Sequence, residues 1–373
     1  MKQHCIKRLF AVLLCGALLA SCGLKTDSSA SGKPAGTTTS TGATDSLTSS
    51  QTDSVAGDES YTDTIVFDGE KTADHIAVTP AMWKVADKTT GGVLYLLGSM
   101  HAVDMDIYPL PKEIKAAYDA SDALAVECDV TVGNDMASQF AMLKKMECED
   151  GKTIADYLGD TLYGDCVKAL KADGLYLSMY DQYQPVFWES LFEQAMITDA
   201  GMDAVNGIDM LLIKQAKADG KALIELESRV FQENLLINAP LEYYTANLRY
   251  YTAAAADAKK SLQTMFDVWA KGDIDAIAAL SETEVTGITF SDAEKSACDA
   301  MNKALLNDRN PGMIDKAADM LKKGQKVFYV VGAAHYAGDI GIIVGLQNAG
   351  YTVERVDYAT QTASDDTSDD AAA

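Results

Sequence analysis

The chain has 373 residues, with 31 lysines and arginines against 55 aspartates and glutamates, and a formal net charge of −24 at pH 7. That balance argues against a nucleic-acid partner and against lying flat on an anionic bilayer, since both require a cationic face. Seven cysteines are present with no C-x-x-C pair among them, which removes the zinc-ribbon pattern.

In chain order, Lys2, Lys7 and Arg8 flank an apolar stretch from Leu9 to Ala20. The layout predicts a secretory signal peptide over residues 1–21, too short for a conventional membrane span. Leu19-Ala20-Ser21-Cys22 resembles the bacterial lipobox, which implies cleavage before Cys22 and its acylation with palmitate-type chains. The expected location is the cell envelope, with the protein lipid-anchored to the membrane and facing outside the cytoplasm. Residues 22–60 are Ser, Thr, Gly, Asp and Ala with almost no large apolar side chain, so they read as a flexible tether. Residues 359–373, with four aspartates, read as a disordered acidic tail. Between them, residues 61–358 are long enough for one sizeable domain.

Within that domain, Met82–Ala86 and Val93–Leu97 read as a β-hairpin whose second strand runs into Gly98-Ser99-Met100-His101. Pro111 opens a helix to about Ala120, and Ala123–Glu127 is a strand with an acidic end. Because sequential elements tend to be spatial neighbours, Glu127 is expected near His101. From about Asn134 to Leu306 apolar residues recur at helical spacing, giving a helical insertion. One strand, Lys221–Glu227, interrupts it after a helix from Gly207-Ile208-Asp209 to Asp219. Asp308-Arg309-Asn310-Pro311-Gly312 opens a helix to about Lys323, and a second buried strand ends in Gly332-Ala333-Ala334-His335. A helix over Gly338–Ala349 and a strand over Tyr351–Val356 close the domain. The fold class is α/β: a central mixed, largely parallel sheet flanked by helices, with a helical insertion.

Two strand-Gly-x-x-His units place two of the four histidines where ligands bind in such sheets, beyond the carboxyl ends of the strands. The two motifs, Glu127 after the first, Gly207-Ile208-Asp209, Leu226-Glu227 with Gln232 beyond, the Arg309-Asn310 pair and Gly338 together resemble the TraB/PrgY/GumN family, which includes the animal Tiki proteins. Two positions depart from its pattern: Ser99 stands where Thr is frequent, and Asp308 where Glu usually precedes the Arg-Asn pair.

The residues suit metal-assisted hydrolysis, with His101 and His335 as nitrogen ligands and Glu127 as carboxylate ligand or general base, on a divalent transition ion such as Mn, Co or Zn. The resemblance implies the same, because Tiki members are metal-dependent proteases. Arg309 is expected to meet a substrate carboxylate, an oxyanion or an acidic neighbour. Glu227 reads as a structural partner in the cleft and Asp209 as a helix-start residue. The small residues of the motifs suggest that Gly98 and Gly332 adopt backbone conformations closed to other residues.

The expected function is a membrane-anchored hydrolase of peptide or amide bonds acting on a peptide or small-molecule substrate. The family's similarity to erythromycin-esterase-like and haem-binding lipoproteins keeps open a metal-free esterase, with a histidine base aligned by Glu127, or a tetrapyrrole-binding site, and its PrgY branch, tied to blocking peptide pheromones, keeps open a peptide-binding protein without turnover. His75 reads as a surface residue, and Cys128, Cys148, Cys166 and Cys298 as either disulfide-bonded or reduced.

Overall fold

A computed structural model describes residues 66–359 except 134, 281–284 and 286. The segments expected to be a signal peptide (1–21), a tether with Cys22 (22–60) and an acidic tail (359–373) lie outside the described residues, apart from Ala359. Six strands form one sheet: β1 (Met82–Ala86), β2 (Val93–Ser99), β3 (Ala123–Val126), β4 (Ala222–Glu225), β5 (Lys326–Gly332) and β6 (Val353–Arg355), in the order β4-β3-β5-β2-β1-β6. The four strands β4, β3, β5 and β2 are parallel, while β1 runs antiparallel to both its neighbours. The sheet is therefore mixed and mostly parallel.

Alternation along the strands feeds two separate cores, because successive side chains point to opposite faces. Leu97, Leu124, Val126, Phe328 and Val330 pack on one face against α1 (Lys112–Asp119), α5 (Ile208–Ala218) and α8 (Ala255–Ala270). Leu94, Leu96, Ala125, Tyr329 and Val331 pack on the other against α11 (Asn310–Lys322) and α12 (Ile342–Asn348). Both faces are covered, so the strands read as nearly continuous apolar runs.

The insertion has its own core, built by α2 (Met136–Lys145), α3 (Ile154–Ala172), α4 (Pro185–Asp199), α6 (Arg229–Ile237), α7 (Leu241–Ala253) and α10 (Asp292–Asn302). Tyr243, Tyr244, Tyr250 and Tyr251 are all buried there, as is Trp188, whereas Trp269 belongs to the sheet core and donates to the Gly98 carbonyl at 2.9 Å. A short helix, α9 (Ile274–Leu280), follows α8. No described helix is long and apolar enough to cross a membrane.

Four sequence expectations change. β5 lies between β2 and β3, so Glu127 reaches His101 across an intervening strand and not as its direct neighbour. The helix expected from Gly338 begins at Ile342, because Gly338 takes a left-handed φ of 72° and Gly341 is pressed against the Tyr336 and Ala337 carbonyls. Neither Gly98 nor Gly332 has a positive φ; a Cβ would stand in tight contact at each, 3.1 Å from the Ala333 Cβ and 3.2 Å from Glu127 Oε1 respectively. His75 is half-buried, not on the open surface. Cys128, Cys148, Cys166 and Cys298 are all free thiols.

Candidate functional site

Side by side in register, β2 and β5 set Ser99 opposite Gly332, so both Gly-x-x-His motifs leave the sheet at the same edge. β3 ends one residue before Glu127 on the far side of β5. The three chains meet over Gly332. A Cβ built there would stand 3.2 Å from Glu127 Oε1, 3.5 Å from His101 Nε2 and 3.8 Å from His335 Cδ2. His335 Nε2 lies 3.6 Å from the same Glu127 oxygen. Side-chain exposures of 13% for His101, 6% for Glu127 and 4% for His335 make His101 the member nearest solvent.

Each imidazole is fixed by a partner on its Nδ1. His101 Nδ1–H donates to Asp209 Oδ2 at 2.7 Å, and the other oxygen of Asp209 accepts from the buried Ser99 hydroxyl at 2.7 Å. Asp209 sits in the first turn of α5, where a carboxylate is favoured by the helix dipole. That helix is docked on the first motif: the Ile208 N–H donates to the Met100 carbonyl at 3.1 Å, and a Cβ on Gly207 would lie 2.2 Å from the His101 carbonyl oxygen. His335 Nδ1–H donates to Asn310 Oδ1 at 2.6 Å, an orientation set by the Asn310 amide donating to the Ile340 carbonyl. Both Nε2 atoms are left to face the cleft.

Glu127 is held by three donors. Gly332 N–H reaches Oε1 at 2.8 Å, while Arg309 and Gln232 donate to Oε2. Arg309 is 5% exposed, and its guanidinium also grips both oxygens of Glu227 at 2.7–3.0 Å and the Leu305 carbonyl at 3.0 Å. Arg309 thus meets the acidic neighbours Glu127 and Glu227. Gln232 Nε2 bridges Glu127 and Glu227 at 3.2 Å each, and its carbonyl accepts from the Cys128 thiol. Cys128, pushed up by burial and by Glu127, is an inert thiol.

The electrostatics separate the two histidines. Burial pulls the His101 imidazole down, but the Asp209 carboxylate overrides it and holds the group up at about 9. Burial pushes His335 down to about 4, with Glu127 only partly offsetting it and Arg309 adding to it. Burial would raise Glu127, yet Arg309 and the two imidazoles keep its carboxyl well below the usual range.

Among the described residues no three His, Cys, Asp or Glu side chains stand together at metal-binding spacing. Within the donor set over Gly332, one pair has the spacing of two ligands of a single ion. Two ligands of one ion with bonds of ~2.0–2.2 Å stand at most ~4 Å apart, and the 3.6 Å between His335 Nε2 and Glu127 Oε1 lies inside that limit. Oε1 accepts one N–H and retains a lone pair, and both Nδ1 atoms carry the acceptor partners that orient metal-binding histidines. Holding the space above Gly332 clear is part of the design. Gly332→Ala is expected to change stability by less than about 1 kcal/mol, because its φ of −49° suits any residue, while its methyl group intrudes between the three groups and abolishes ligand binding. Urea unfolding beside a metal-binding titration checks both halves.

Sequence reasoning pointed to His101, His335, Glu127, Glu227 and Arg309, and the structure brings all five together. Asp209, which reads in the sequence as a helix start, and Asn310, which reads as part of a motif, are each the partner of a histidine. The one available signal was their position beside Gly207 and Arg309 within the same motifs.

A mixed α/β sheet carrying two histidines and a carboxylate on one edge defines the class. The chain belongs to the TraB/PrgY/gumN family, whose model matches residues 81–355, spanning the whole sheet and every residue of this cleft. It is similar to the uncharacterized protein YbaP of Escherichia coli (strain K12) and to that of Shigella flexneri, each 29% identical over 161 residues, or 42% of this chain and 58% of the relative. The chain thus spans little more than half the length of these curated relatives. No solved structure matches it.

Proposed function

We propose that this protein is an extracytoplasmic hydrolase of peptide or amide bonds, anchored to the membrane through an acylated Cys22, with a divalent Mn, Co or Zn ion held by His101, His335 and Glu127. One observation carries the reading: the free edges of two oriented imidazoles and one carboxylate oxygen border the single volume left open by Gly332. A bound ion would supply a water acidified toward neutrality and would polarise the scissile carbonyl.

The chain's own groups have separate tasks. Asp209 and Asn310 keep the Nε2 edges of both imidazoles turned into the cleft. Arg309 keeps Glu127 ionised and aimed, leaving Oε1 as its working oxygen. Burial of His335 and Glu127 excludes bulk water and strengthens each electrostatic contact.

A second reading, metal-free hydrolysis, is favoured by the opposite displacement of the two histidines. An imidazole held up at about 9 is a proton donor at neutral pH, and one pushed down to about 4 is a neutral acceptor. Paired groups displaced in opposite senses mark acid and base roles.

The test is a screen of the purified chain against a library of fluorogenic peptides, with and without Mn²⁺, Co²⁺ or Zn²⁺, beside His101→Ala and His335→Ala. Cleavage that needs added ion and is lost in both variants supports the first reading. Cleavage that survives chelators supports the second. A folded chain that cleaves nothing in any condition contradicts both.

A further inference from the structure

A cavity of about 1130 Å³ opens on the flank of the sheet away from Glu127, between the segment 67–79, the stretch 107–115 and the exit of β6 at 355–359. It exceeds the usual small-molecule range of roughly 300–1,000 Å³. Phe67, Val78, Ile107, Leu110 and Val356 supply apolar lining. Lys71, Lys112, Lys115, Lys271 and Arg355 face Asp68, Glu113 and Asp357 around it. Five cations against three carboxylates is the reverse of the chain as a whole, where carboxylates prevail 55 to 31.

The cations differ in their commitments. Lys115 pairs with Asp119 at 2.9 Å, and Arg355 donates to the Gly272 carbonyl and lies over the Trp83 ring. Lys71, Lys112 and Lys271 have no carboxylate within ion-pair distance among the described residues. On the opposing side, Glu113 already accepts from the Ala359 N–H. His75, also in the wall, has a buried Nδ1 with no hydrogen-bond partner. A cavity lined by both apolar side chains and three ammonium groups outside any described ion pair is complementary to one chemical class.

We propose that this cavity binds an amphipathic anion: a carboxylate or phosphate headgroup on an apolar body, with the headgroup at Lys71, Lys112 and Lys271. None of the groups over Gly332 lines it, so the proposal is independent of the hydrolase reading. Free amphiphiles and membrane lipid both carry the recognised chemistry.

The test is isothermal titration of the full chain with octyl phosphate, octanoate, inorganic phosphate and octylamine, together with flotation on phosphatidylglycerol and phosphatidylcholine vesicles. Octyl phosphate or octanoate is expected to bind one per chain, at least tenfold more tightly than inorganic phosphate, with octylamine not saturating. Lys112→Glu/Lys271→Glu is expected to weaken that binding at least tenfold, and His101→Ala/His335→Ala to leave it unchanged. Flotation with phosphatidylglycerol alone, lost in the lysine variant, assigns the headgroup to membrane lipid; binding of free amphiphile without flotation assigns it to a soluble ligand. No saturable binding of either anion, or binding indifferent to the lysine variant while its circular dichroism matches the parent, overturns the proposal.

Discussion

Arg309→Met is expected to destabilise the fold by about 3–5 kcal/mol, the cost of leaving one side of a buried ion pair uncompensated. Two carboxylates lose their counter-charge at once, since Glu127 and Glu227 are both bonded to this guanidinium. Lysine cannot replace it, because a single ammonium lacks the planar fork that spans both acids. The pH dependence fixes the cause. Glu127 is held below the usual carboxylate range, so its contribution to stability is fully present above the unfolded-state pKa of about 4.3 and is lost as pH falls through the lower folded value. In the variant the stranded carboxyls are relieved by protonation, so the gap from the parent narrows as pH falls from 7 toward about 4. Urea unfolding at several pH values measures that gap. A difference below about 1 kcal/mol, or one that does not change with pH, would contradict this role for Arg309.

Asp209→Asn is expected to lower hydrolysis and metal affinity by about 10–100-fold, the usual effect of removing the partner that orients a ligand histidine. The amide can still accept from Ser99, but it presents an N–H or a neutral oxygen to His101 Nδ1 in place of a carboxylate. Either the tautomer reverses, placing a proton on Nε2, or the orientation is retained with a weaker bond. In the metal-free protein the imidazole loses the support that holds it at about 9. A raised histidine contributes stability below its unfolded pKa of about 6.5 and loses it as pH rises through the folded value. The parent should therefore exceed the variant in stability at pH 6 and match it above about pH 9. Nitrogen-15 NMR of the His101 ring reports tautomer and protonation directly. An unchanged ring titration would show that Asp209 does not govern this histidine.

How far the cleft was legible in the sequence depends on the residue. The strands β2 and β5 are legible because apolar runs closed by glycine mean buried strands in any context, and the edge on which their histidines lie follows from strand direction. Strand order is not, because pairing between distant segments leaves no periodicity; nothing in Ala123–Glu127 reveals that β5 separates it from β2. The glycines show the same limit from another side. Gly-x-x-His suggests an unusual backbone, whereas Gly332 has an ordinary φ and matters because Glu127, His101 and His335 all border the place of its missing side chain.

Asp209 and Arg309 were masked by local roles that each also fills. An aspartate in a first helical turn has sufficient local reason to be there, and its bonds to Ser99 and His101, 110 and 108 residues away, exist only in the fold. Arg309 follows a π-helical turn over Lys303–Asn307, whose Leu305 carbonyl it binds. That turn, a rare element often found near functional sites, has no sequence signature comparable to a cap or a proline.

The central claim, that both Gly-x-x-His motifs and Glu127 form one ion-binding centre, is tested most directly by counting metal per chain with inductively coupled plasma mass spectrometry. The parent and His101→Ala/His335→Ala would be measured after incubation with Mn²⁺, Co²⁺ and Zn²⁺ and removal of free ion, with circular dichroism confirming that both are folded. The expected result is close to one ion per parent chain and none in the variant. No bound ion in the parent, or equal binding by both proteins, would contradict it.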